Sequence, residues 1–416
     1  MEHRHIGSEF YFYYLLPVPE ILDCKSRSFM KEKNNIQNLF PCLGNYLNEH
    51  NQLGLSFNGD AATVIKRKEQ KSLALKFYWA DSETAAIVNH NIAWARGLKD
   101  HPIFQFAYLM LPTMCNQACS GCFMGQDKGR LPKHLDGPFF SDLELSDIAK
   151  FLKQHHAKAI VYGGGGELFS WDGAFEFVEK ISKFGLHPVI FTNGTLLTSD
   201  DVKKLNHFGT SLIISIRDTV EEYHNKSVKA NNFRSSLLAI EYALQAGMNV
   251  DARLAVEIPV TKDNETRIIN DLLPVLRQLN IVPMVEEYIQ LSVSIEEQAS
   301  SHDFTQARSF FKNISAKDVR LGSYWIPENG TRMLGQPKCQ RPLYSFAIFP
   351  SRDVLDCPSH SIKYGNLKNQ TLQEIIYSDE FKKNLLNFNL CACSVFYTES
   401  DATIPQALPE KLVVFK

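Results

Sequence analysis

The chain has 416 residues, 44% of them hydrophobic and 22% charged, the make-up of an ordinary globular protein long enough for more than one domain. Its 44 basic and 46 acidic side chains leave a net charge of -2, so it lacks the electrostatic footprint of a protein that binds nucleic acid or an anionic membrane. The apolar run FYFYYLLPVP near the start is too short to span a bilayer and is broken by Pro17 and Pro19; Glu2 and Glu9 before it, and no small-residue cleavage site after it, speak against a secretory signal.

Residues 1–100 lack a regular alternation and read as a small α+β domain, with a hairpin over 63–80 and a helix over 81–98. From about residue 104 strands and helices alternate. Strands are expected over 104–111, 159–165, 187–194, 211–216, 249–258 and 281–289. Helices are expected over 141–156, 171–185, 199–209, 233–247 and 265–280. Ser141 and Glu144 stand at capping-box spacing, and Gly185, Gly209 and Gly247 close helices just before apolar runs. Residues 343–350 and 352–358 then read as two short strands, and 371–389 as one helix.

Strand–helix repetition predicts a parallel sheet covered by helices. Six units in about 190 residues suit a partial (β/α)6 barrel better than a closed eight-stranded one, which takes about 250. The expected organisation is an N-terminal α+β domain over 1–100, acting as a lid or recognising a peptide, the barrel over 101–300, and a small C-terminal domain over 301–416. Chemistry on such a sheet belongs at the carboxyl ends of the strands. The loop after the first strand runs from about Pro112 to Phe140, and excess of this kind is often functional.

That loop holds Cys115, Cys119 and Cys122, a C-x3-C-x2-C set. Cys339, Cys357, Cys391 and Cys393 form a later group, and Cys24 and Cys42 stand apart. An odd number of cysteines grouped at short spacing makes a poor disulfide framework and a good metal inventory, which points to a reducing, cytoplasmic setting. Three thiolates on one loop reach three corners of a cubic iron–sulfur cluster. Structural zinc is the alternative, although zinc normally takes four closed ligands. A non-catalytic metal-binding scaffold would use both groups structurally.

The three-cysteine set, YGGGGELF (162–169), FTNGTLL (191–197) and SLIISIRDTVEEYHNKSVKANNF (211–233) occur in this order after successive strands. Together they resemble the radical S-adenosylmethionine (SAM) superfamily over about residues 104–290. The resemblance implies a [4Fe–4S] cluster on Cys115, Cys119 and Cys122 whose open iron takes SAM. It implies reductive cleavage of SAM to a 5′-deoxyadenosyl radical that abstracts hydrogen from substrate, with a flavodoxin- or ferredoxin-type reductant. Gly163, Gly164, Gly165, Gly166, Glu167 and Asn193 become cofactor-binding candidates. Gly121 stands where the family often places an aromatic residue beside the adenine, with Phe123 on its other side.

Strand parity adds further candidates, because alternate residues point into a barrel. Ser215 and Arg217 share one face of the fourth strand. Asp251, Arg253, Ala255 and Glu257 share one face of the fifth. By resemblance Ser215 is a candidate for the SAM ribose, and Arg253 for the SAM carboxylate or the substrate. Arg217, Glu257 and Glu286 are the catalytic candidates. The Cys-Pro at 357–358, Gly-Asn-Leu at 365–367 and the closing cysteines resemble the SPASM extension in its shorter twitch form, which implies one auxiliary [4Fe–4S] cluster on Cys339, Cys357, Cys391 and Cys393. Relatives with this extension mostly modify ribosomal peptides by oxidation, crosslinking or epimerisation, or act on aminocyclitols and sugars.

Overall fold

The computed structural model describes residues 82–120, 122, 135–163, 165–250, 253–260, 263–272, 275–276, 279, 281–287, 341–358 and 362–387. The expected hairpin over 63–80 and the rest of the N-terminal domain before residue 82 lie outside them. So do Gly121, Gly164, Cys339, Cys391 and Cys393.

Six parallel strands form the barrel: β1 (Phe106–Leu109), β2 (Ala159–Tyr162), β3 (His187–Thr192), β4 (Ser211–Ser215), β5 (Leu254–Val260) and β6 (Val282–Glu287). They lie side by side in chain order, and each neighbouring pair is parallel. All four residues of β1 and of β2 are buried, because a parallel strand is covered on both faces and reads as a continuous apolar run. Helix α1 (Ser82–Ala95) precedes β1. The connecting helices are α2 (Asp142–Gln154), α3 (Ala174–Lys183), α4 (Ser199–His207), α5 (Glu221–Val228), α6 (Phe233–Gln245) and the single turn α7 (Glu265–Arg267). On α2, Leu145, Ile148, Ala149 and Leu152 are buried, a stripe at helical spacing that turns one face to the sheet. Its capping box is present: Ser141 N donates to Glu144 Oε2 at 2.7 Å, and Glu144 N donates to Ser141 Oγ at 3.3 Å.

The strands after residue 341 extend this sheet instead of standing apart as a separate layer. β7 (Ser345–Ile348) pairs parallel with β1, with Ala107 opposite Phe346. β8 (Asp353–Leu355) and β9 (Lys363–Asn366) then add antiparallel. Two short helices, α8 (Leu372–Ile376) and α9 (Asp379–Leu386), stand where the sequence predicts one. Ser378 makes the break: its Oγ accepts from Phe381 N at 3.1 Å and starts a new helix. Trp94 of α1 meets Tyr377 and Phe381 edge-on at 5.5 and 6.2 Å, so the helix before the barrel and those after it share one core.

Three other expectations shift. Strand β5 begins at Leu254 and not at Asn249, because Asn249 and Val250 belong to the turn closing α6, where Val250 N donates to Gly247 O at 3.0 Å. Within the expected helix over 265–280, α7 passes into a π-helical turn, Ile268–Leu272, and residues 275 and 276 are helical again. Pro274 has no N–H to return to residue 270, which weakens a regular α-helix there. Helix α5 has no sequence counterpart above; it buries only His224 and Val228, too little for an amphipathic signal.

Candidate active site

The cysteine loop leaves the carboxyl end of β1 and is held at both ends. At its start, Thr113 Oγ1 donates to Gly165 O at 2.8 Å and lies 2.5 Å from Tyr162 Oη. Glu167 N donates to Met114 O at 3.0 Å. The exits of β1 and β2 are thus sewn together, and glycine makes that possible. Gly166 has φ +111°, and a Cβ there would lie 2.2 Å from Thr113 O; one on Gly165 would lie 3.1 Å from Leu111 O. A Cβ on Gly163 would meet the Tyr108 ring at 3.3 Å. The close approach seen at Gly165 and Gly166 is to the base of the cysteine loop, a use that the cofactor reading of these glycines did not include.

The middle of the loop is strapped to α5: Ala118 N donates to Val228 O at 3.1 Å and Ser120 N to Ser227 O at 2.8 Å. Its far end is clamped by Arg352, from the turn between β7 and β8. The buried Arg352 guanidinium bonds both Glu144 carboxylate oxygens and the carbonyls of Pro138, Phe139 and Pro350, and sits 4.3 Å over the Phe140 ring. This cation holds the Glu144 carboxyl down at about 2.

Within the loop, Cys119 Sγ donates to Gln117 Oε1 at 3.3 Å, and the Arg217 cation acts on the same sulfur. Asn193 Nδ2 lies 3.9 Å from Cys115 Sγ and 2.8 Å from Asn116 Oδ1. Burial pushes the Cys115 thiol up to about 12, and the nearby Glu167, Cys119 and Cys122 push it the same way. Burial also raises Cys119, and Arg217 pulls it back. Thiols in such a place ionise when a metal cation takes the proton's position. Among the described residues no three His, Cys, Asp or Glu side chains converge on a single ion. The three thiols are electrostatic neighbours: Cys119 and Cys122 both act on Cys115.

Three further candidates, Ser215, Arg217 and Glu257, lie beside the loop. Ser215 ends β4, and its Oγ is buried with no hydrogen-bond partner among the described residues. It stands in register with Glu257 on β5, and Glu257 acts electrostatically on Cys119. Arg217 follows two residues after Ser215. An unpartnered inward hydroxyl is the kind of group that a bound ligand completes. Glu286 lies at the carboxyl end of β6, opposite Pro259.

Glu167 has another engagement. It is 1% exposed, and its carboxylate accepts from Asn193 N at 2.8 Å, Thr192 Oγ1 at 2.7 Å and Phe169 N at 3.3 Å. Burial raises its pKa to about 7 against those three donors. It ties the exits of β2 and β3 together. Arg253 is not brought to the site at all. It precedes β5 at the amino end, where its guanidinium bonds Asn206 Oδ1, Asn206 O and Thr210 O. Parity placed it on the inward face correctly, but at the wrong height. Cys357 is buried at the end of β8. Residues that the sequence did not single out also build the site: Thr113, Asn116, His224, Asn264 and Arg352. His224 lay within a quoted motif, and Thr113 and Asn116 lay in or beside the cysteine set without being singled out; Asn264 and Arg352 act across 47 to 214 residues of chain, with no local pattern to mark them.

Residues 110–272 match the Radical SAM superfamily. The chain carries a radical SAM domain. The fold is shared with solved radical SAM enzymes at low identity. anSMEcpe with bound AdoMet aligns with a TM-score of 0.51 and 16% identity over 70% of this chain and 88% of that one. Streptococcus suis SuiB bound to precursor peptide SuiA aligns with 0.51 and 15% over 74% and 73%. A curated relative, the tungsten-containing aldehyde ferredoxin oxidoreductase cofactor-modifying protein of Pyrococcus furiosus, is 27% identical over 166 residues, 38% of this chain and 45% of that protein. The chain therefore spans less than half the length of that relative. A [4Fe–4S] cluster and SAM are the cofactors of the radical SAM domain, and the three thiols with the unpartnered Ser215 hydroxyl fit them. Among the described residues no helix is long and apolar enough to cross a membrane.

Proposed function

We propose that this radical SAM enzyme modifies a ribosomally made peptide, by oxidation, crosslinking or epimerisation. The observation that carries the radical chemistry is the three-cysteine loop, fastened at both ends, with Arg217 and Glu257 acting on Cys119 and Ser215 in register with Glu257. Cys115, Cys119 and Cys122 hold the cluster, Ser215 binds SAM, and the catalytic candidates are Arg217 just past β4, Glu257 within β5 and Glu286 near the end of β6. When bound, cluster and SAM together supply a hydrogen-abstracting radical. The chain's own part is placement: Asn193 and Asn116 fix Cys115, and the β1–β2 stitching fixes the start of the loop.

A peptide substrate is supported by two enzymes of this fold that hold peptides, SuiB with its precursor SuiA and anSMEcpe with the Cp18Cys peptide. The curated relative's role on a cofactor supports a small-molecule substrate as the second reading. Cys357 supports an auxiliary cluster, with Cys339, Cys391 and Cys393 completing it and taking the second electron of an oxidation. Anaerobic reconstitution with SAM and dithionite is expected to release 5′-deoxyadenosine. Mass analysis then separates the reactions: loss of two hydrogens from a peptide means oxidation or crosslinking, and solvent deuterium uptake without that loss means epimerisation. No 5′-deoxyadenosine from iron-loaded protein would remove the enzyme reading.

A further inference from the structure

Arg217 is held with unusual care for a residue in a loop. Its N–H donates to His224 Nδ1 at 3.2 Å, and its carbonyl accepts from Asn264 Nδ2 at 3.1 Å. The same Nδ2 also reaches Pro259 O, at 3.0 Å. The next residue, Asp218, takes both Nε and Nη2 of Arg267, at 2.9 and 2.6 Å. Helix α5, the turn after β5 and helix α7 thus all fasten two residues beyond the end of β4. The His224 ring is fully buried, a setting that keeps it neutral, with Nδ1 able to accept. Such support is what aims a side chain. Ala118 and Ser120, on either side of Cys119, are bonded to Val228 and Ser227 of the same helix whose His224 holds Arg217, and this arrangement brings the Arg217 charge to act on the Cys119 sulfur. Glu257, brought alongside through the pairing of β4 and β5, acts on the same sulfur with the opposite sign.

A cation and a hydrogen bond at a ligating sulfur favour the more negative, reduced state of an iron–sulfur cluster, and an anion disfavours it. We propose that Arg217, positioned by His224 and Asn264, raises the reduction potential of the cluster bound by Cys115, Cys119 and Cys122, and that Glu257 lowers it. Reduction adds one electron from a low-potential donor, dithionite in the test, and forms or breaks no bond. The proposal rests on the reading that these cysteines bind a cluster.

The test uses the full chain, reconstituted anaerobically, with iron and sulfide counted first. The potential is read by EPR-monitored titration without SAM, on the signal that responds when SAM is later added. Arg217→Gln is expected to lower the reduced-to-oxidised ratio at fixed potential about tenfold, equal to about 59 mV for a one-electron couple. Glu257→Gln is expected to shift it the other way. His224→Phe removes the acceptor for the Arg217 N–H and should shift in the direction of Arg217→Gln; His224→Asn, which restores an acceptor, should recover most of the wild-type value. Shifts of one sign for Arg217→Gln and Glu257→Gln, or no shift in either with iron content intact, overturn the proposal. Should Arg217→Gln fail to load iron, Glu257→Gln decides alone: an unchanged or lower potential overturns it. A wild-type chain that binds no iron sinks the cluster reading itself.

Discussion

Two arginines on neighbouring strands of one barrel end up doing different work. Arg217 and Arg253 both lie on the inward face of the sheet, by the parity of β4 and β5. Arg217 lies past the carboxyl end of its strand, and its charge acts on Cys119. Arg253 precedes the amino end of its strand and closes the barrel floor on Asn206 and Thr210. Nearby on that floor, His187 Nε2 lies 2.9 Å from Ser211 Oγ, and burial pushes the imidazole down to about 4. The two ends of the barrel are therefore built from similar residue types with opposite purposes. Each end leaves one buried hydroxyl without a hydrogen-bond partner among the described residues, Thr210 Oγ1 at the floor and Ser215 Oγ at the carboxyl end; only the second stands at the end that carries the cysteine loop. An unsatisfied buried group costs stability, and a ligand bound beside the cysteine loop would relieve that cost at Ser215.

This contrast breaks most sharply at the cysteines. Cys119→Ala is expected to abolish SAM cleavage and to lower bound iron, as measured by 5′-deoxyadenosine release and metal analysis; activity equal to wild type would erase the distinction between the ends. Gly166→Ala should act next most strongly. A Cβ at φ +111° has Thr113 O 2.2 Å away, so the base of the cysteine loop must move. A displacement of about 1 Å costs on the order of 100-fold in rate, while backbone strain costs about 1–3 kcal/mol. The expected signature is a fall in kcat well beyond the loss in thermal stability.

Arg352→Met tests the far clamp and should cost on the order of 3 kcal/mol, since it strips a buried cation from one carboxylate and three carbonyls. Its pH dependence has a definite sign. Glu144 is held at about 2 in the fold, against 4.5 for the free group. A depressed carboxyl contributes stability that is present above the unfolded value and lost as pH falls through the folded one. The gap between wild type and Arg352→Met in denaturant titrations should therefore narrow as pH drops from about 4.5 toward 2. Smallest is Arg253→Met, expected to lose about 1 kcal/mol of stability and to leave iron content and SAM cleavage unchanged. A loss of SAM cleavage there would return Arg253 to the site.

Much of the barrel was legible from periodicity. Buried parallel strands read as apolar runs and their helices as amphipathic stretches, so the order of the first six strands followed directly. Elements without that signal did not. Helix α5 buries two residues, and β9 is the four-residue KYGN. Helix α5 nevertheless supplies Ser227 and Val228 to the cysteine loop and His224 to Arg217. The joining of β7 to β1 was also out of reach, because the partners are over 200 residues apart and nothing local specifies the pairing.

The sequence by itself determined the chemistry: three thiols in one loop, glycines and Thr-Asn-Gly behind it, and the order of strands that puts them at one end of a sheet. These are local facts, fixed by spacing and residue type. The tertiary structure decided height and partners. Alternation of side chains every two residues tells which face a residue takes but not how far along the barrel it sits, so only the register of β4 on β5 separates Arg217 from Arg253. Likewise only packing shows that Gly166 makes room for Thr113, that Glu167 ties two loops together, and that Arg352 reaches back more than 200 residues to hold the loop on which Cys115, Cys119 and Cys122 stand.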